Sequence, residues 1–107
     1  MFPRDQRLRR SSDVVATLRK GRRFSYGPLT CHFQARPDKD GRITVVVDTK
    51  VSKKAVVRNL LKRRVRAILQ TTTLPKGDLV IRAYAPALVL SHLDLQKYLE
   101  QCLKKLS

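Results

Sequence analysis

Residues 50–66, KVSKKAVVRNLLKRRVR, carry eight of the chain's 24 Lys and Arg side chains and no carboxylate. Such a run suits phosphate oxygens, with ammonium groups acting as point charges and guanidinium groups as forks that meet two oxygens at once. Lys54, Arg58, Lys62 and Arg66 stand at i, i+4, i+8 and i+12. On a helix they form a like-charge row, which costs stability when nothing neutralises it. Repulsion of this kind persists where a polyanion supplies the counter-charge. An ordinary solvated face would alternate acids with bases. Here there are no acids, and the reading is contact with nucleic acid. Asn59, among the cations, can hydrogen-bond a base, a sugar or neighbouring backbone. Charge alone leaves RNA and DNA open. Binding is expected to weaken steeply with salt, because each phosphate contact releases counterions.

No catalytic constellation accompanies this run. The eight carboxylates are scattered, and Asp38 and Asp40 fall in a turn. Without a carboxylate cluster to hold two metals, a stand-alone nuclease is the weakest reading. Ser, His and Asp occur with no nucleophile-elbow or phosphate-loop pattern around them. Two histidines and no CxxC pair argue against a structural zinc. Cys31 and Cys102, far apart and in apolar surroundings, read as buried free thiols. Any catalysis in which this chain takes part is expected to use groups other than its own side chains.

The elements that must position these residues follow from hydrophobic period. With 107 residues, net charge +16 and 42% hydrophobic residues, the chain is expected to form one domain with a single core rather than a disordered basic tail. No apolar run reaches the roughly 18 residues of a membrane span. The start, MFPRDQRLRRSS, lacks the apolar stretch of an export signal, so cytoplasm is the expected location. Residues 1–11 read as a basic arm. Ser11 or Ser12 offers an N-cap to a short helix over residues 13–20, and Gly21 stops it.

Strands are expected over residues 29–36, 43–48 and 79–84. The first two would be joined as a hairpin by the polar turn Pro37-Asp38-Lys39-Asp40-Gly41. In the first strand Leu29, Cys31, Phe33 and Ala35 share one face. The opposite sheet face would offer His32, Gln34, Arg36, Arg82 and Tyr84, either as a mixed outer surface or as a place to stack and pair a single strand. The basic run becomes a helix over residues 53–70, with Val57, Leu60, Leu61, Val65 and Ile68 on its apolar side. Arg64 falls inside that arc and is expected to snorkel from its edge. A last helix starts at Ser91, with Asp94 as capping-box partner and Leu95, Tyr98, Leu99, Cys102 and Leu106 as core face. The order is α-β-β-α-β-α, an α+β sandwich.

Lys54-Ala55-Val56-Val57-Arg58-Asn59, followed by Lys62-Arg63 and Arg66, resembles the K-A-V-x-R-N-R-x-K-R-x-x-R signature of the bacterial ribonuclease P protein subunit. The similarity runs nearly end to end. Arg9-Arg10-Ser11-Ser12 through Gly21, Lys76-Gly77-Asp78 with Pro86-Ala87, and the helix over residues 91–105 resemble the family's opening helix, later strand and C-terminal helix. The resemblance implies an RNA partner that is itself the ribozyme, and a protein that helps it cleave the 5′ leader from precursor tRNA. It implies contact with the catalytic RNA, near bound magnesium, through Lys50, Lys53, Lys54, Arg58, Asn59, Lys62, Arg63 and Arg66. It places the leader in a cleft beside the first helix, at Val14, Leu18, His32, Arg82 and Tyr84. A left-handed crossover between the last two parallel strands is also implied, against the usual rule. No cofactor bound by the protein alone, no membrane and no obligate protein partner are expected.

Some positions depart from the pattern. Leu60 stands for the third residue of R-N-R, and Arg64 stands where an apolar residue is usual. Val14 and Leu18 replace frequent aromatic residues, and the V-S-K-K-V-G run is matched only at Lys50 and loosely at Thr49. The rival reading is a noncatalytic RNA-binding protein of ribosomal or chaperone type. A DNA-binding regulator fits less well, since strands flank the basic helix where a helix-turn-helix needs a helix.

Overall fold

Alternating apolar residues lay a four-stranded sheet at the centre of the molecule. The computed structural model describes residues 11–36, 41–71 and 76–106. Its elements are α1 (Ser11–Lys20), β1 (Arg22–Tyr26), β2 (Leu29–Ala35), β3 (Arg42–Val46), α2 (Ala55–Leu69), β4 (Gly77–Ala83), a 3-10 turn (Ala85–Val89) and α3 (His92–Leu106). The strands lie in the order β1-β2-β4-β3. β2 is antiparallel to both its neighbours, and β3 runs parallel to β4. The class is α+β with a mixed sheet, as expected. Residues 1–10 of the expected basic arm, the turn residues Pro37, Asp38, Lys39 and Asp40, and the Ser11 and Leu106 side chains lie outside the described residues.

Two topological expectations give way. The anticipated order lacked β1, in which Phe24 and Tyr26 alternate with Arg23 and Ser25 and pack against the core. β1 turns into β2 through Gly27 and Pro28. Gly27 has φ +55, the positive value that a two-residue hairpin turn requires at its first central position. The anticipated hairpin between the second and third strands is absent, because β4 lies between them. The two edges of β2 are filled by β1 and β4, so β3 joins the far side of β4. Parallel neighbours need a long crossover, and α2 is that crossover.

Residues opposite one another across strands share a sheet face. Leu29, Cys31 and Phe33, Ile43 and Val45, and Leu79 and Ile81 form a buried layer with Leu61, Val65, Ile68 and Leu69 of α2 and Leu95, Leu99 and Cys102 of α3. α3 starts as its capping pair predicts, the Asp94 N–H donating to Ser91 Oγ at 3.1 Å. The free thiols Cys31 and Cys102 are buried here. The hydrogen bond between them and their burial push the Cys31 thiol up. α1 lies on the opposite sheet face, against β2 and β4, with Thr17 fully buried. Val80 on that face is fully buried and belongs to no part of the main core.

The buried arc of α2 excludes one expected member, since Leu60 is 58% exposed. At about 100° per residue, Arg64 sits about 60° from Leu61, whereas Leu60 sits about 100° away on the same side. Arg64 occupies the arc's edge, half-buried, and its Nη2 donates to the Leu90 carbonyl. That leaves Leu60 in solvent. Among the described residues, no helix is long and apolar enough to cross a membrane.

Candidate nucleic-acid interface

α2 begins after Lys54, whose extended backbone (φ −82, ψ 117) occupies the cap position without a side-chain cap. No acid stands in its first turn, and Arg66 lies in its last. The outer face of the helix therefore carries cations with no acid among them. Asn59, Lys62, Arg63, Arg66, Ala67 and Gln70 line one shallow groove of about 520 Å³ along it. Lys53, Lys54, Asn59 and Arg63 are exposed, while Lys62 and Arg66 are half-buried. Arg58 is also half-buried, and its Nη1 donates to the Ser52 carbonyl at 2.8 Å. It secures the turn that enters the helix as well as adding to the charge.

Lys50 is placed elsewhere. With Asp48, Val51, Arg82, Tyr84, Ala85 and Pro86 it lines a hollow of about 330 Å³, at the carboxyl ends of the parallel strands β3 and β4. Arg82 lies between an acid and a ring, 3.7 Å from Asp48 Oδ2 and with its guanidinium 5.7 Å from the centre of the Tyr84 ring. Of the residues expected along the leader strand, Arg82 and Tyr84 thus come together with Lys50.

The α1-side sheet face is ordered in rows by the strand register. Gln34, Asp78 and Arg42 form one row, followed by Arg23, His32, Val80 and Thr44, and then Ser25, Thr30, Arg82 and Val46. α1 covers part of this face. His32 is consequently buried, where the sequence suggested an open surface. Both its ring nitrogens, and Gln34 Oε1, are buried without a hydrogen-bond partner. Burial, then the charges of Arg23 and Arg82, hold the His32 imidazole below its ordinary 6.5, so at neutral pH it is uncharged. Val14 and Leu18 are half-buried on one flank of α1, beside Thr17. Val15 faces outward with Ser12, Ala16, Arg19 and Lys20.

Two groups of residues were missed in the sequence. Arg23 and Ser25 join the face because β1 exists, and the alternation within RRFSY was the available signal. Asp78 lies fully buried among cations: Arg42 Nε and Nη2 donate to its two oxygens at 2.8 and 2.9 Å, and Arg36 Nε lies 3.2 Å away. No spacing rule links residues so far apart in the chain. Among the described residues, no three of His, Cys, Asp and Glu gather as a metal site.

A mixed sheet with an acid-free cationic helix on one side and a cation-bearing strand face on the other defines a nucleic-acid-binding α+β protein. The family model described as Ribonuclease P matches residues 2–107. The ribonuclease P protein component of Rhodococcus opacus is 36% identical over 115 residues, 99% of this chain and 92% of that one. Among solved structures, the RNase P protein from Thermotoga maritima aligns with a TM-score of 0.82 at 26% identity, covering 92% of this chain and 96% of that one. The RNase P protein of Staphylococcus aureus shares the fold, with a TM-score of 0.83 at 24% identity over 95% of each chain. This chain belongs to the bacterial ribonuclease P protein family.

Proposed function

We propose that this chain is the protein subunit of ribonuclease P, a noncatalytic component that binds the enzyme's RNA and promotes 5′ maturation of precursor tRNA. The observation that carries the reading is the acid-free, cation-lined groove of α2 on a chain matched to the family along its length. Lys53, Lys54, Arg58, Asn59, Lys62, Arg63 and Arg66 are assigned to the catalytic RNA. Arg side chains fork onto phosphates, and Asn59 reaches a sugar or base edge. The leader strand is assigned to the α1-side face, with Val14 and Leu18 as its apolar wall and Arg82, Tyr84 and Lys50 at its end. His32 supports that wall from beneath. The whole chain, its basic arm included, then acts as one RNA-binding domain in the cytoplasm.

Bond cleavage falls to the RNA, since the described residues offer no nucleophile–base pair and no carboxylate cluster. Magnesium is expected in the holoenzyme; among the described residues no three of His, Cys, Asp and Glu gather to hold it, and its ligands are assigned to RNA phosphates. The β3–α2–β4 crossover is taken as left-handed, in line with the family resemblance.

The test is reconstitution. A bacterial ribonuclease P RNA and precursor tRNA are incubated at low magnesium with and without the protein. Leader release that needs both protein and RNA, with none from protein alone, is the expected result. Tight RNA binding without stimulation would move the assignment to a general RNA-binding protein, and cleavage by the protein alone would overturn it.

A further inference from the structure

We propose that the contact chain Asp13–Arg42–Asp78–Arg36 is a positioning device that fixes α1 above the sheet and thereby sets the width of the leader cleft. The inference rests on the leader assignment above and adds residues to which that assignment gives no role.

The four side chains come from four places: the first turn of α1, the residue just past β2, the start of β3 and the start of β4. Asp78 is fully buried and accepts both prongs of Arg42, with Arg36 Nε at 3.2 Å from its Oδ2. Two guanidinium groups around one carboxylate leave one positive charge over. Asp13 Oδ2, 3.5 Å from Arg42 Nη1, supplies the balancing charge from across the layer boundary. In a chain with eight carboxylates against 24 cations, two acids are thus committed between α1 and the sheet, where they cannot screen an RNA-facing surface.

At its other end α1 closely approaches the backbone of β2. The Gly21 N–H donates to the Thr17 carbonyl at 2.9 Å, closing the last turn of the helix. A Cβ on Gly21 would stand 2.4 Å from that oxygen and 2.9 Å from the Phe33 carbonyl oxygen, so the close approach requires glycine. Between the two ends, the buried Thr17 hydroxyl donates to the Asp13 carbonyl at 3.0 Å, binding the turn that carries the Asp13 carboxylate. One end is fixed by close packing and the other, among the described residues, by the Asp13–Arg42 interlayer ion contact. Val14 and Leu18, the proposed cleft wall, lie between them. Weakening the ion contact frees the wall while the Arg42–Asp78 fork, which joins β3 to β4, keeps the sheet intact.

The experiment uses holoenzyme reconstituted from the full chain and a bacterial ribonuclease P RNA that the wild-type chain activates. Affinities for precursor tRNA and for leaderless mature tRNA are measured alongside KM and kcat. Asp13→Asn is expected to weaken precursor binding and raise KM about threefold, the scale of one partly exposed ion pair. It should leave kcat and mature-tRNA affinity unchanged, and Asp13→Glu, which restores the charge, should recover most of the loss. Equal weakening toward both tRNAs, or no change for Asp13→Asn, would overturn the proposal. If the wild-type holoenzyme binds the two tRNAs alike, the leader assignment fails first and the positioning role falls with it.

Discussion

Arg58 and Lys62 stand one helical turn apart on α2, yet their contacts separate them. Lys62 reaches the outer groove, whereas Arg58 also holds the Ser52 carbonyl at 2.8 Å. Lys62→Ala should therefore weaken RNA binding with an unchanged urea midpoint. Arg58→Ala should weaken binding and also cost about 1 kcal/mol of stability, the usual net value of such a hydrogen bond. Filter binding and urea melts on the same preparations separate the two effects. His32 makes a second residue-scale prediction. Its folded-state pKa lies below the ordinary 6.5, through burial and then Arg23 and Arg82, so below that pH the unfolded chain binds more protons than the folded one. Stability is then fully present above about pH 6.5 and falls as the pH drops from there toward the folded-state pKa. Thermal melts in this window should show that slope for the wild type and a shallower one for His32→Leu, which has no ring nitrogen to protonate.

At the scale of elements, the β1–β2 turn is the most exacting local geometry. Gly27 combines φ +55 with a Cβ direction that would meet the Tyr98 ring at 2.6 Å. Gly27→Ala should cost more than the roughly 1 kcal/mol of a positive-φ penalty alone, because it also pushes α3 away from β1, and a lowered melting temperature by circular dichroism would register it. The helices were legible in the sequence because their stripes are local: Leu61, Val65 and Ile68 recur within two turns, and Ser91 with Asp94 announces the start of α3. β1 was hidden by its brevity and by the basic pair Arg22-Arg23 that opens it. The pairing of β2 with β4 was hidden for a different reason. Adjacent strands with a turn between them read as a hairpin, and only the packing of α2 on one face and α1 on the other decides that β4 enters between them. The candidate site divides the same way. The α2 groove was readable from charge spacing, whereas the burial of His32 and the Asp13–Arg42–Asp78 contacts depend on where α1 lands.

Across the whole molecule, charge is sorted by direction. Asp13 and Asp78 point into the joint between α1 and the sheet, and Asp48 is beside Arg82, while the outer arc of α2 keeps its cations unopposed. A net charge of +16 concentrated this way makes affinity depend on counterion release, so the slope of log affinity against log salt counts the phosphates engaged. Leu60 interrupts that arc. It is 58% exposed beside Val56, which is 79% exposed, so the interruption serves no packing need. Leu60→Arg should therefore leave the thermal midpoint nearly unchanged, since a solvent-exposed side chain is exchanged for another. If the arc meets RNA phosphates, the new guanidinium adds one contact and the salt slope steepens by about 0.7 to 0.9. Titrations of ribonuclease P RNA across a salt series measure that slope directly. An unchanged slope would mean that position 60 faces away from phosphate in the complex. The RNA would then meet α2 on its Lys62 and Arg66 side alone.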